Sequence, residues 1–274
     1  MRNHLKNLTP TLLLIPLLLT LLLLPQWTHA APGKPVDWQM AELAEGFDNC
    51  DPKGEPGTCS YIWFRFPAIM AGPSEQVEEA IREDIRRFLY GEGSHQGKDY
   101  FDISKRLFRD YAMFKAAFPD SAQVWYVEKE AGVIHLTADV ITLSKRSVSN
   151  MGGAHPNTNK YFSTLDLKTG KVLLLQDFIK PESISQLVIK AEKRFREMKN
   201  LAEDDSLDAF YFPDGRFRLN DNLGLTDEGL LFYYNSLEIE PYAAGPTELV
   251  VPYEELKDLA VPGGPLSGLN KQTN

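Results

Sequence analysis

"VIHLTADVITLSKRSVSNMGGAHPNTNKYFSTLDLKTGKVLLL", residues 133–175, decides the fold class of this chain. Its first part alternates, with Ile134, Leu136, Ala138 and Val140 on one face and His135, Thr137 and Asp139 on the other. A period of two belongs to a strand whose faces meet different surroundings. Upstream, "QVWYVEKE" (123–130) alternates as well, and Gly132 stands between the two runs, so a hairpin turning at Gly132 is expected. Downstream, "KYFSTLDLKTGKVLLL" (160–175) reads as a second pair of strands around a Lys168-Thr169-Gly170 turn.

Between these strands lies "SNMGGAHPNTN" (149–159). Glycines permit positive φ, so Gly152 and Gly153 let the backbone reverse or approach a neighbour closely, and Pro156 confines His155 to extended geometry. Asn150 and Asn157 can bond the backbone of an irregular loop. Two roles are open to His155. It locks the loop to the sheet, or it touches a ligand, at the extreme as a general base.

Outward from this centre the period changes. "SYIWFRFP" (60–67) reads as a strand that stops at Pro67. Val77, Ile81, Ile85 and Phe88 then recur at helical spacing, giving an amphipathic helix from about Ser74 to Tyr90. Ile103, Leu107, Tyr111, Phe114 and Phe118 mark a second helix closed by Pro119. Ile184, Leu187, Val188, Ala191, Phe195 and Met198 mark a third, with Ser183 as its cap. "RFRLNDNLGLTDEGLLFYYN" (216–235) returns to strands, turned at Asp227-Glu228-Gly229. Hairpins outnumber crossovers, so the class is α+β, a mostly antiparallel sheet or sheets with about three amphipathic helices packed on it.

The first thirty residues concern destination. Arg2 and Lys6 precede an apolar run from Leu12 to Leu24, interrupted at Pro16 and Thr20. About 20 apolar residues are needed to span a membrane and about 7–15 for a signal-peptide core, so this is read as a signal segment, cut after Ala30. The expected protein is periplasmic or secreted, with no transmembrane segment after cleavage. Loss of Arg2 and Lys6 leaves 27 basic against 38 acidic residues, a net charge of −11. Nucleic acid and anionic lipid are unsuitable partners for such a surface, whereas a cationic protein would be steered toward it. Cys50 and Cys59, in "CDPKGEPGTC", are read as a local disulfide; no cofactor and no metal site is expected, for no second cysteine pair or histidine cluster completes a ligand set.

The organisation expected is a signal segment (1–30), a lead-in with the disulfide loop (31–59), one α+β domain (60–262) that could divide into lobes at 148/149, and a flexible tail (263–274). Three blocks carry a resemblance: GGAHPN (152–157), the turn Asp166 to Lys171, and PYAAG (241–245) running into "VPYEEL". Over roughly residues 60–260 the chain resembles the RsiV-like family, which takes in the extracellular domain of the anti-sigma factor RsiV and the non-catalytic N-terminal region of the peptidoglycan deacetylase PdaC. The resemblance implies a cell-envelope domain without established catalysis, and a binding or sensing role toward a lysozyme-like cationic protein or a cell-wall glycan. The candidate binding residues, read from the two loops themselves, are Asn150, His155, Asn157, Pro241 and Tyr242. Tyr242, flanked by small residues, is either a binding anchor or a packed ring. The competing function is an envelope hydrolase acting on glycan or ester bonds, with His155 or a carboxylate as base; no G-x-S-x-G frame presents a serine to it.

Overall fold

The computed structural model describes residues 35–54, 58–91 and 99–267. The signal segment and its cleavage point, His95 and the end of the tail lie outside these residues. The architecture is α+β. A six-stranded sheet in the order β1 (Asp37–Gly46), β2 (Tyr61–Ala71), β3 (Tyr126–Leu136), β4 (Val140–Asn150), β5 (Asn157–Asp166) and β6 (Val172–Leu173) stands beside a three-stranded one, β7 (Leu223–Leu225), β8 (Gly229–Tyr234) and β9 (Thr247–Pro252). Every neighbouring pair is antiparallel except β2 and β3. That parallel pair needs a crossover, which α1 (Glu75–Tyr90) and α2 (Tyr100–Ala117) supply.

Both helices lie on one face of the large sheet. Ile62 and Phe64 of β2, Ile141 and Leu143 of β4 and Leu165 of β5 meet Val77, Ile81, Ile85 and Leu89 of α1 and Leu107 of α2. Side chains buried this fully contribute about 1.5–3 kcal/mol each. Ser74 caps α1 by accepting from Val77 N at 3.3 Å. A buried polar cluster crosses this interface: Lys145 Nζ lies 3.0 and 2.9 Å from the two carboxylate oxygens of buried Asp84, and Ser163 Oγ donates to Asp84 at 2.7 Å. Nearby, Lys129 Nζ donates to the carbonyls of Phe88 and Leu89 at the end of α1. Burial pushes its pKa down to about 8.

A second core joins the small sheet to α4 (Ile184–Met198), with Phe195 and Leu187 against Phe232, Leu249 and Val251. Two short helices, α3 (Leu175–Phe178) and α5 (Tyr253–Leu256), border it. The two sheets are tied along β5, whose outer edge β6 covers only at Thr164 and Leu165. Further along, Asn235 Oδ1 accepts from Lys160 N at 2.7 Å, and Asn222 Oδ1 accepts from Phe162 N at 3.0 Å while its Nδ2 donates to Lys160 O at 2.8 Å. Two asparagine side chains thus complete an edge that a strand would otherwise pair.

Several expectations need correction. The hairpin does not turn at Gly132: β3 runs through it, and the reversal comes at Thr137–Asp139, where Thr137 Oγ1 accepts from Asp139 N and Val140 N. A bulge between Val133 and His135 interrupts the expected alternation and leaves Ile134 exposed and His135 buried. Nor does β2 stop at Pro67. Tyr61 N points toward β3, so by alternation residue 67 does too, and β3 pairs with β2 only as far as Arg65; proline's missing N–H therefore removes no ladder bond. Ser183 gives α4 no side-chain cap, because a 3-10 turn over Pro181–Ser183 runs directly into the helix with Ser183 already in helical geometry. Phe118, just past the end of α2, and Met198, the last residue of α4, close the helical stripes and are exposed. The stretch read as a lead-in contains β1, a sheet strand, and the stretch read as a tail begins with Leu266 buried in the second core. Cys50 and Cys59 are disulfide-bonded. Among the described residues no helix is long and apolar enough to cross a membrane.

Candidate functional site

The loop joining β4 to β5 and the loop entering β9 meet. His155 and Tyr242 stack with ring centroids 4.9 Å apart and planes inclined by 18°. The Tyr242 hydroxyl reaches the Pro156 carbonyl at 3.5 Å. Both side chains are exposed, Tyr242 at 41%.

Each loop is set from beneath. Asn150, ending β4, accepts from Gly152 N at 2.9 Å, which bends the chain out of the strand. Gly152 has φ 87°, and a Cβ there would lie 2.5 Å from Gln123 Oε1 and 3.3 Å from Trp125 Nε1. Gln123 Nε2 donates to Gly152 O at 3.0 Å, fastening the loop to the segment before β3. Gly153 has no positive φ, so the reversal expected of two glycines falls to the first alone. Asn157 opens β5 opposite Ser149 and accepts from Asn159 Nδ2 at 3.1 Å. On the other side, Pro241 O accepts from Ala244 N at 2.9 Å and starts a 3-10 turn over Tyr242–Ala244. Glu240 anchors this turn: its carboxylate receives Lys199 Nζ, at the end of α4, and Thr247 Oγ1 at 2.8 Å.

The structure therefore brings His155 and Tyr242 into contact, with Pro241 leading into the pair, while Asn150 and Asn157 shape the loop from its ends. Gln123, Trp125, Lys199 and Glu240 escaped the sequence reading. Nothing in their spacing points to the loops, since each meets its partner only through the fold.

Acid–base chemistry has little to draw on here. Among the described residues no hydrogen bond joins His155 to a carboxylate or a hydroxyl, and the pair lies open to solvent instead of in a cleft. His135 sits at the opposite end of β4, where its Nδ1 is 2.8 Å from Asp227 Oδ1. Among the described residues no group of three or more His, Cys, Asp or Glu side chains is placed to hold a metal ion.

Comparison with known proteins adds the following. Residues 176–254 match a family described as a protein of unknown function, DUF3298. No curated protein matches the chain. Its fold is similar to the crystal structure of a DUF3298-family member from Bacteroides fragilis, with a TM-score of 0.70 at 20% identity over 88% of this chain and 99% of that one. It is also similar to that of a DUF3298-family protein from Pseudomonas aeruginosa, with a TM-score of 0.60 at 19% identity over 84% of this chain and 96% of that one. At these identities the likeness shows the fold alone. The match to residues 176–254 includes the Tyr242 turn and stops short of the His155 loop.

Proposed function

We propose that the chain is an exported cell-envelope binding module of RsiV-like type whose partner is a cationic protein such as lysozyme. The observation that carries this reading is the exposed stack of His155 on Tyr242, which unites two of the blocks on which the resemblance rests. A tyrosine held by a neighbouring ring offers contact area and a hydroxyl while losing little conformational freedom on binding. The net charge of −11 without residues 1–30 would speed encounter with a cationic partner. The disulfide and the apolar N-terminal run support export. The hydrolase reading draws support from no contact of His155.

The test is a titration of residues 31–274 with lysozyme at low and moderate salt. Binding at micromolar concentration or tighter, weakened by salt and by Tyr242→Ala, is expected. Absence of binding removes lysozyme as the partner. Turnover of peptidoglycan fragments that disappears in a folded His155→Ala variant replaces the binding reading by the hydrolase.

A further inference from the structure

On the sheet face turned away from α1 and α2, one row of charged residues crosses four strands. Arg65 of β2 stands opposite Glu130 of β3, Glu130 opposite Arg146 of β4, and Arg146 opposite Lys160 of β5. Their sequence neighbours Phe64 and Lys145 face the helices, so alternation assigns this row to the other side. The small sheet covers that side further down, where a side chain at Gly224 would come within 3.0 Å of Thr142 and 3.1 Å of Phe162, and it touches the end of the row at Lys160, whose Nζ lies 5.1 Å from the Tyr233 ring centroid. The rest of the row is open, with side-chain exposures of 45% for Arg65, 36% for Glu130 and 44% for Arg146 against 29% for Lys160.

The row borders a cleft of about 450 Å³, within the range of roughly 300–1,000 Å³ usual for small-molecule sites. Its floor is Gly132, with Ser144 opposite in register, and Met40 and Ile134 add an apolar flank. Gly132 lacks the usual reasons for being glycine. Its φ is not positive, and no atom lies within 4 Å of where a Cβ would stand. Glycine inside a strand weakens it, and it marks places where a ligand or another backbone comes close. Here no backbone does. The neighbouring bulge at Val133–His135 is a feature that strands carry beside sites.

Charge narrows the ligand. Three cations and one carboxylate line the cleft itself, Arg65, Arg146 and Lys160 against Glu130. Arg65 is held by Glu130 within the lining, but the partners of the other two, Glu128 at 3.7 Å from Arg146 and Glu248 at 3.3 Å from Lys160, stand outside it, so Arg146 and Lys160 keep donors for a second acceptor.

We propose that this cleft binds a small ligand bearing a carboxylate. Arg146 and Lys160 receive the carboxylate, and the space over Gly132 takes the adjoining carbon skeleton against Met40 and Ile134. Two sources carry this chemistry, a carboxylated sugar and the C-terminus of a short peptide.

Calorimetric titration with N-acetylmuramic acid, D-alanyl-D-alanine and N-acetylglucosamine separates them. Binding of the first assigns the sugar, binding of the second the peptide, and binding of both the shared carboxylate; the third, which lacks a carboxylate, is expected to stay free. Gly132→Leu, whose Cβ would meet no atom within 4 Å, is expected to fill the cleft and abolish binding without lowering the thermal midpoint. Arg146→Gln is expected to weaken it about tenfold through loss of a charge-assisted hydrogen bond. The proposal is overturned if neither carboxylate binds at millimolar concentration, if the neutral sugar binds equally well, or if both folded variants bind as the native protein does. Lysozyme binding through His155 and Tyr242 should be untouched by Gly132→Leu, so failure of this site and failure of the loop site are told apart.

Discussion

Replacing Lys145 by methionine should cost about 3–5 kcal/mol, a large share of the roughly 5–15 kcal/mol by which domains are stable. Asp84 and Lys145 are only 7% and 8% exposed, and the ammonium touches both carboxylate oxygens at 3.0 and 2.9 Å. Without the lysine, the carboxylate between α1 and the sheet keeps a single donor, Ser163 Oγ at 2.7 Å. Water cannot replace the lost partner without opening that interface. Ser163→Ala is milder, about 1.5–3 kcal/mol for one hydrogen bond to a charged group. Removing both charges together leaves no buried charge unpaired and only the neutral Ser163 hydroxyl without its acceptor, so Asp84→Leu/Lys145→Met should cost about 1–3 kcal/mol, well below the sum of the single changes. Urea unfolding of the four proteins of this cycle measures the coupling. If the double variant costs the sum of the singles, Asp84 and Lys145 do not act as a buried pair and the reasoning fails.

Gly152→Ala should destabilise by about 1–2 kcal/mol, because a residue with a Cβ is strained in left-handed geometry, and urea unfolding would show it. Lys129 makes stability rise with pH: its folded pKa of about 8 lies below the unfolded value of about 10.4, so between them the unfolded chain binds the extra proton. The gain by about pH 9.5 is about 2 kcal/mol, and Lys129→Met should flatten the rise; an unchanged slope refutes the assignment. Reducing Cys50–Cys59, nine residues apart, should cost about 3 kcal/mol and lower the melting temperature, whereas an equal melting temperature in reductant would show that the closed loop contributes nothing.

The helices were legible because the stripes of α1, α2 and α4 repeat every three or four residues and Ser74 announces the first. The Asp166–Lys171 turn was legible for a local reason, since Asp166 Oδ1 holds Lys168 N at 2.9 Å and Thr169 N at 2.7 Å. Pro67 and Gly132 misled because their meaning depends on strands elsewhere. One is tolerated where β3 ends its pairing, and the other lies over open space on the sheet face. β1 escaped notice because it is an edge strand rich in polar residues, "DWQMAELAEG", placed in a stretch dominated by the disulfide loop. In the candidate site, the Gly-Gly-Ala-His-Pro loop stood out by composition. Its contact with Tyr242, 86 residues beyond Pro156, is a product of two sheets meeting and has no counterpart in spacing.

The central claim is that the paired loops are the surface that meets the partner. Hydrogen–deuterium exchange of residues 31–274 with and without lysozyme tests it most directly. The account predicts protection concentrated at residues 150–157 and 241–245, lost in Tyr242→Ala. Protection elsewhere, with these two loops exchanging as in the free protein, would contradict it.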